Sequence, residues 1–199
     1  MENVCQIGTN AAAFDKWDQM LRERLTQQRY WHCIGTMQTA VAIAEGNGLN
    51  TTSAAAAGLL HDCERCAPTD VLLRKIQANG VELPEDEAEL PYVYHTYCGA
   101  WTAEHEFGLH DPDALAAIRT HSTGGANLSP LQQSVFIADL VEPTRPYAQE
   151  ETIQEIRRTA CRDLRLATPM ALRYKARLSE IKSGGALNPR TREMVEAYL

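Results

Sequence analysis

Ala57-Gly58-Leu59-Leu60-His61-Asp62 ends an apolar run by placing an imidazole directly beside a carboxylate. The run begins after Asn50, a residue type that commonly caps the N-terminus of a helix, so we predict a helix leading into the pair. A neighbouring histidine and carboxylate are costly to bury unless something binds them. Because imidazole and carboxylate together suit zinc, iron or manganese, the segment predicts a metal site at the end of a buried helix.

Helical patterns recur on both sides of this segment, whereas strand patterns are almost absent, so we predict an all-α fold. The turn-forming stretch 45–48 ends one helix, and Asp111-Pro112 and Ser129-Pro130 are start signals for two others. Two or three further helices should fill 149–199, with a break at 183–185. The earlier helices are expected at about 14–25, 28–45, 51–62, 68–78, 94–107, 111–121 and 129–141.

Composition and charge exclude several classes of protein. A chain of 199 residues with 44% hydrophobic residues can form one domain with a substantial core. Without a run of about 18 apolar residues or a signal-like N-terminus, we expect a cytoplasmic protein that does not span a membrane. The formal net charge of -7 argues against broad nucleic-acid binding. An anionic substrate would therefore need local positive charge, which bound metal ions would supply.

The cysteines do not form the dense framework typical of disulfide-rich proteins, and we expect them to be reduced. Cys63 and Cys66 form a C-x-x-C pair, which suits a redox pair or half of a zinc site. A second C-x-x-C and a strand-turn-helix pattern are both missing from the sequence, which favours a structural role. The six cysteines are Cys5, Cys33, Cys63, Cys66, Cys98 and Cys161.

Other histidines and one aspartate join His61-Asp62 as candidate ligands. His121 and Asp139 both fall on the apolar faces of their helices. His32 lies within a helix, and His95 opens one. Each histidine alone is readily satisfied by a backbone carbonyl. Five ligand positions on different helices, however, are how helical bundles build metal sites in their cores.

Four sequence segments, taken in order, resemble the HD superfamily of metal-dependent phosphohydrolases. They are similar to the motifs R-x-x-H, A-G-L-L-H-D, A-I-x-x-H-T-T-G and A-D-x-I-E-P-x-R, found here at 29–32, 57–62, 117–124 and 138–145. Together they look like the YqeK-type branch, the symmetrical bis(5'-nucleosyl)-tetraphosphatases. The resemblance covers about 18–148 and, more weakly, the C-terminal helices. It implies an HD-domain helical bundle with a metal site in its core. Residues 1–148 would form the phosphohydrolase domain and 149–199 a C-terminal helical annex packed on it.

The resemblance also implies a ligand set for two divalent transition-metal ions. Asp62 would bridge to a second ion held by His95 and His121. Iron is the metal that the resemblance suggests, with manganese, cobalt and zinc as alternatives. The first ion would be held by His32, His61, Asp62 and Asp139.

By the same resemblance, the chain would be a phosphoric anhydride hydrolase that splits diadenosine tetraphosphate into two ADP with a metal-activated water. Asp62 and Arg65 would be the catalytic residues. Arg65 departs from the family, which usually has a lysine three residues after the H-D aspartate; an arginine keeps the charge but changes its geometry. The residues expected to bind phosphate are Arg29, Arg65, Thr123 and Arg145.

Several alternatives stay open at this point. The substrate could be another nucleotide, such as a nucleoside monophosphate or a cyclic dinucleotide, or the protein could be a metal-bound nucleotide sensor with little turnover. The only partner implied is a small nucleotide, with a homodimer as a further option. His105 and His110 match no motif and are interpreted as surface or structural. Four aromatic residues near the ligands are candidates to stack on adenine or to pack in the core: Trp31, Tyr92, Tyr94 and Trp101.

Overall fold

A computed structural model describes residues 3–183 and 187–199, with side chains for 12–179 and 187–199. This part of the chain contains helices and loops and no strand, which confirms the all-α prediction. A 3₁₀ turn at Pro91–Val93 precedes the fifth helix. The ten α-helices are α1 (Asn3–Arg24), α2 (Gln27–Gly46), α3 (Thr51–Leu60), α4 (Thr69–Asn79), α5 (Tyr94–His105), α6 (Pro112–Thr120), α7 (Pro130–Val141), α8 (Glu151–Ala160), α9 (Leu164–Ser183) and α10 (Pro189–Tyr198).

Local capping signals explain where several helices begin. The Asn50 side chain accepts hydrogen bonds from the backbone N–H groups of Thr52 and Ser53, at 2.9 and 3.1 Å. Asp111 caps α6 in the same way, and Ser129 forms a capping box with Gln132 at the start of α7. The prediction differed most at α1, which begins at Asn3 and not near 14. The alanines at 11–13 are strong helix formers, so nothing in the sequence ends the helix at that point.

A close approach of α2 and α3 positions the His61-Asp62 pair. A Cβ atom at Gly58 would lie 2.8 Å from the Cα of Met37, so only a glycine lets the two backbones come this near. α3 is buried along most of its length and ends one residue before His61. The end of α3 is therefore pressed against the middle of α2, at Met37, between one and two helical turns after His32.

The C-terminal helices pack onto the same core as the rest of the chain. Ile153 and Ile156 of α8 and Leu172 of α9 are fully buried in the cluster that includes Phe136 of α7. α10 is attached through the Thr191 hydroxyl, which donates to the carbonyl of Thr123 at 2.7 Å. A domain division at 148 stays a prediction. The predicted break at 183–185 falls where α9 ends, and 184–186 lie outside the described residues.

A charged network lies behind the His61-Asp62 turn. The Lys75 ammonium donates to Glu64 Oε1 at 2.6 Å, to Thr102 Oγ1 at 2.7 Å and to Glu106 Oε1 at 2.7 Å. Arg24 donates to the other oxygen of Glu106 at 2.7 Å. The network ties α1, α4 and α5 to the segment that follows Asp62.

The described cysteines are all free, and Cys5 lies outside the residues whose side chains are described. Cys63 is buried and Cys66 is exposed, and burial raises the pKa of the Cys63 thiol. A buried thiol that resists ionisation is consistent with a structural role for Cys63. Within the described part of the chain, no helix combines the length and the apolar character needed to cross a membrane.

Candidate metal centre

The six predicted ligands come together in the core from five different parts of the bundle. His32 lies in the second turn of α2, His61 and Asp62 follow α3, and His95 is in the first turn of α5. His121 ends α6, and Asp139 lies in the last turn of α7. All six side chains belong to buried residues, although charged and polar groups of this kind are usually exposed.

Asp62 stands at the centre of the cluster, with its two oxygens directed at different histidines. Oδ1 lies 3.4 Å from Nε2 of His95 and 3.4 Å from Nε2 of His121. Oδ2 lies 3.4 Å from Nε2 of His61 and 3.6 Å from Nε2 of His32. A carboxylate placed between two pairs of imidazoles has the arrangement needed to bridge two cations.

Asp139 completes the side of the cluster nearest α2. Its Oδ1 lies 3.1 Å from Nε2 of His32 and 3.7 Å from Nε2 of His61. Two groups have all their potential ligand atoms within 4.8 Å of one another: His32, His61 and Asp139, and His61, Asp62 and His121. His61 belongs to both groups. His95 belongs to neither, but it lies beside Asp62 and its ring meets that of His121, with the ring centres 5.3 Å apart.

The cluster has a buried polar atom that the protein leaves unsatisfied. Among the described residues, Oδ1 of Asp62 is buried without a hydrogen-bond partner. An unpaired buried carboxylate oxygen is strongly unfavourable, and a cation would remove the penalty. With imidazole nitrogens and carboxylate oxygens as donors, the residues fit divalent transition metals.

Outer hydrogen bonds orient the imidazole rings toward this centre. Nδ1 of His61 lies 2.8 Å from the carbonyl oxygen of Gly58, and Nδ1 of His121 lies 2.7 Å from that of Ile118. Each histidine donates to a carbonyl three residues before it, near a helix end where such carbonyls have no helical partner. These bonds leave both Nε2 atoms directed inward, as metal ligation requires.

The carboxylate of Glu142 orients the imidazole of His32 in the same way. Its Oε1 lies 2.9 Å from Nδ1 of His32, and its Oε2 accepts a hydrogen bond from the backbone N–H of Thr144 at 2.6 Å. A Cβ atom at Gly35 would collide with this carboxylate, so the glycine makes room for it. The sequence motifs did not predict that Glu142 contacts a candidate metal ligand. The local indication of such a role is that Glu142 lies in the same motif, at 138–145, as the candidate ligand Asp139.

Burial and charge set the protonation of the cluster. Burial alone would lower the pKa of His61, but the carboxylates of Asp62 and Asp139 raise it to about 9. Burial lowers the pKa of His95 to about 3, and that of His121 also falls. Although burial opposes it, the neighbouring histidines hold the pKa of Asp62 well below its usual range. Asp62 is therefore ionised and His95 and His121 are neutral, which are the forms that ligate metals. His61 is protonated near neutral pH in the absence of a metal, so metal binding there would release its proton.

Three arginines surround the centre. Nη1 of Arg29 lies 2.7 Å from Oδ2 of Asp62, and Arg145 forms an ion pair with Asp139. Nη1 of Arg65 lies 3.1 Å from Nδ1 of His95. The three side chains line a cavity of about 180 Å³ that is also lined by Asp62, His95, His121 and Asp139. Guanidinium groups in such positions can bind phosphate oxygens in pairs.

The residues that line this cavity differ from the predicted phosphate-binding residues: Ser122 and Lys175 line it without having been predicted, and Thr123 was predicted and does not line it. Thr123 is not brought to the cavity: it is buried, and its carbonyl holds Thr191. Its neighbour Ser122 lines the cavity. Lys175 of α9 also lines it, with Nζ 3.3 Å from the carbonyl oxygen of His121 and 4.2 Å from the centre of the Phe136 ring. No local motif marks Lys175, which reaches the site only because α9 packs on α7.

The fold and the ligand cluster define a known class of protein. Residues 29–144 match the HD domain family, and the chain belongs to that family. Its overall structure is similar to the crystal structure of a predicted HD superfamily hydrolase involved in NAD metabolism from Clostridium acetobutylicum. The TM-score is 0.83, with 32% sequence identity, covering 93% of this chain and 96% of the other.

More specific relatives share most of the chain. The symmetrical bis(5'-nucleosyl)-tetraphosphatase of Halalkalibacterium halodurans is 32% identical over 68% of this chain and 72% of its own length. The enzyme of the same name from Bacillus subtilis is 30% identical over 74% of this chain and 77% of its own. The resemblance read from the four sequence segments is therefore confirmed.

Proposed function

We propose that this protein is a metal-dependent hydrolase that cleaves diadenosine tetraphosphate symmetrically into two ADP. The observation that carries the proposal is the buried carboxylate of Asp62, which faces histidines with both oxygens in a chain related to enzymes of that name. The reaction adds water across the central anhydride bond of the tetraphosphate, so that each half leaves as a nucleoside diphosphate.

The site would hold two divalent ions. Asp62 would bridge them, with His95 and His121 completing the second site. When bound, such ions lower the pKa of a water molecule and neutralise charge on phosphoryl oxygens. Iron is the metal that the family resemblance favours, and the imidazole-carboxylate set also suits manganese, cobalt and zinc. The first site would be formed by His32, His61, Asp62 and Asp139.

The chain's own cations would bind and align the polyphosphate. Arg29, Arg65 and Arg145 line the cavity over the ligands, and Lys175 lines it from α9. Asp62 and Asp139 already pair with Arg29 and Arg145, so these side chains and the bound metal ions would together offset the negative charge of a dinucleoside tetraphosphate. They also provide the local positive field that a chain of formal net charge -7 needs in order to attract this substrate. Holding the phosphates in place converts the attack of water into a step with little orientational entropy to lose.

Deep burial of the ligands strengthens these interactions. His61 is fully buried and Asp62 is 3% exposed, so charges at the centre are screened less than in bulk water. The departing nucleoside diphosphate is weakly basic. A strong general acid is therefore unnecessary, and none of the roles proposed here requires one.

Other nucleotides processed by HD enzymes are the second candidate substrates, because they would use the same metal centre with a different pocket. A panel of diadenosine tetraphosphate, nucleoside monophosphates and cyclic dinucleotides, offered to metal-loaded protein, separates these. We expect the highest kcat/KM for diadenosine tetraphosphate and no turnover by Asp62→Ala. A preference for monophosphates or cyclic dinucleotides would replace the proposed substrate, and tight binding without turnover would indicate a sensor. A cytoplasmic location and a homodimer stay predictions.

A further inference from the structure

A second, larger cavity adjoins the candidate metal centre on the side of α2. Its volume is about 440 Å³, within the range of sites that bind small molecules. Arg29, Arg65 and Arg145 line this cavity as well as the smaller one over the metal ligands. The same three arginines therefore border both the cavity over the ligand cluster and the larger cavity.

Trp31 is the aromatic side chain that lines this cavity. It is 50% exposed, although indole rings are usually well buried, and it precedes the candidate ligand His32. Its ring meets Tyr30 edge-on, with the ring centres 5.2 Å apart. The indole thus has one aromatic neighbour, and half of its surface is still accessible.

The other aromatic candidates from the sequence are engaged elsewhere. Tyr94 is buried, and its hydroxyl donates to the carbonyl of Ala88 at 2.5 Å. Trp101 stacks on His105, with the ring centres 4.5 Å apart. Tyr92 is exposed, but it lines neither cavity. Of the four, Trp31 is the one placed to meet a ligand that also reaches the metal centre.

We infer that the larger cavity binds one nucleoside of the substrate and that its base stacks on the indole of Trp31. The inference rests on the proposed function, since a phosphate chain cleaved at the metal centre needs its nucleoside nearby. The three arginines would carry the intervening phosphates from the ligand cluster into the cavity. Because every base has a π-face, stacking of this kind tolerates different bases. The subsite should therefore accept guanosine almost as well as adenosine.

The test compares a ligand that has a base with one that lacks it. Titration calorimetry on metal-loaded, full-length protein measures the Kd of ADP and of inorganic pyrophosphate for wild type, Trp31→Leu and Trp31→Phe. We expect Trp31→Leu to weaken ADP binding about 5- to 100-fold, as loss of one base stack does. Pyrophosphate binding should change less than about twofold, and Trp31→Phe should keep most of the ADP affinity. Leu166→Ala, which removes another exposed apolar side chain, is the matched control.

Kinetics give a second readout that separates this inference from the proposed function. With diadenosine tetraphosphate, Trp31→Leu should raise KM and leave kcat nearly unchanged, because the stack is present in both the bound substrate and the transition state. Unchanged ADP affinity, or an equal loss for ADP and pyrophosphate, would overturn the nucleoside subsite. If wild type bound ADP through Trp31 but did not hydrolyse diadenosine tetraphosphate, the proposed reaction would fail and the subsite would stand.

Discussion

Nη1 of Arg65 lies 3.1 Å from Nδ1 of His95, so the residue that departs from the family pattern contacts a candidate metal ligand. Arg65 also donates to the backbone carbonyl of Tyr92 at 3.5 Å. It pairs with neither Glu64 nor Asp70: those carboxylates are bound by Lys75 and Arg74. The guanidinium therefore lines both cavities, and a phosphate at the metal centre would be within its reach.

The first prediction concerns this arginine. Arg65→Ala should lower kcat by roughly 30- to 1000-fold, because deleting a charged hydrogen-bond donor to the transition state costs about 2–4 kcal/mol. Arg65→Lys should recover much of the rate, since the family usually has lysine there. Near-normal turnover of Arg65→Ala would contradict the phosphate clamp. Loss of bound metal together with turnover would show that Arg65 acts by supporting His95.

The second prediction concerns the carboxylate behind His32. Glu142→Gln should weaken metal binding about 10- to 100-fold, because the bond to Nδ1 of His32 orients that imidazole and raises its basicity. Competition with a chelator of known affinity measures the change. Glu155→Gln alters an exposed carboxylate paired with Arg158 and serves as the control. Unaltered metal affinity in Glu142→Gln would show that Glu142 does not support metal binding through His32.

The third prediction concerns the number of ions. Elemental analysis of purified protein should give more than one equivalent of transition metal per chain, because the ligand set exceeds what one ion needs. Asp62→Ala should abolish activity with little loss of helical circular dichroism. A metal-free protein that is fully active would end the metal-dependent account. A single equivalent in an active enzyme would reject the bridging role of Asp62.

The fourth prediction concerns the charged network around Lys75, behind the His61-Asp62 turn. Lys75→Met should lower the free energy of unfolding by about 2 kcal/mol, because Glu64 would lose a charged partner in a buried position. For a domain of this size that is roughly 4–8 °C in Tm. Arg74→Met, which removes an exposed pair with Asp70, should cost less than about 1 kcal/mol. Equal losses of unfolding free energy in Lys75→Met and Arg74→Met would show that the network is no more stabilising than an exposed ion pair.

The pH dependence of the stability difference between wild type and Lys75→Met follows from the pKa of Glu106. Burial would raise its pKa, but hydrogen bonds from Lys75 and Arg24 lower the pKa below its ordinary value of 4.5. A lowered carboxyl pKa stabilises the fold above that value, and the contribution is lost as the pH falls through the lowered pKa. The stability gap between wild type and Lys75→Met should therefore narrow below about pH 4.5.

Sequence patterns succeeded where the signal is local. Asp111-Pro112 and Ser129-Pro130 determine the starts of α6 and α7 through their own side chains and rings, and both helices begin where predicted. Five of the six candidate ligands lie in the four short motifs, and His95 lies outside them. The structure brings the six residues together, and their role as metal ligands stays a prediction. What brings them together is not local, since it depends on the close contact that Gly58 allows between α2 and α3.

Contacts between distant parts of the chain could not be predicted in this way. Glu142 reaches His32 across 110 positions, and Lys175 reaches the carbonyl of His121 across 54. Neither contact produces a periodic pattern in the sequence that could have predicted it. Trp31 illustrates the same limit: its residue type suits a core or a stacking surface equally, and only its exposure beside a cavity separates the two.

The most direct test of the central claim is the identity of the first products. Metal-loaded protein is incubated briefly with diadenosine tetraphosphate, and the nucleotides are separated by chromatography before a second turnover can degrade them. The account predicts ADP as the only nucleotide product, because water attacks at the centre of the tetraphosphate. Equal amounts of ATP and AMP would show asymmetric attack and would contradict the proposed function.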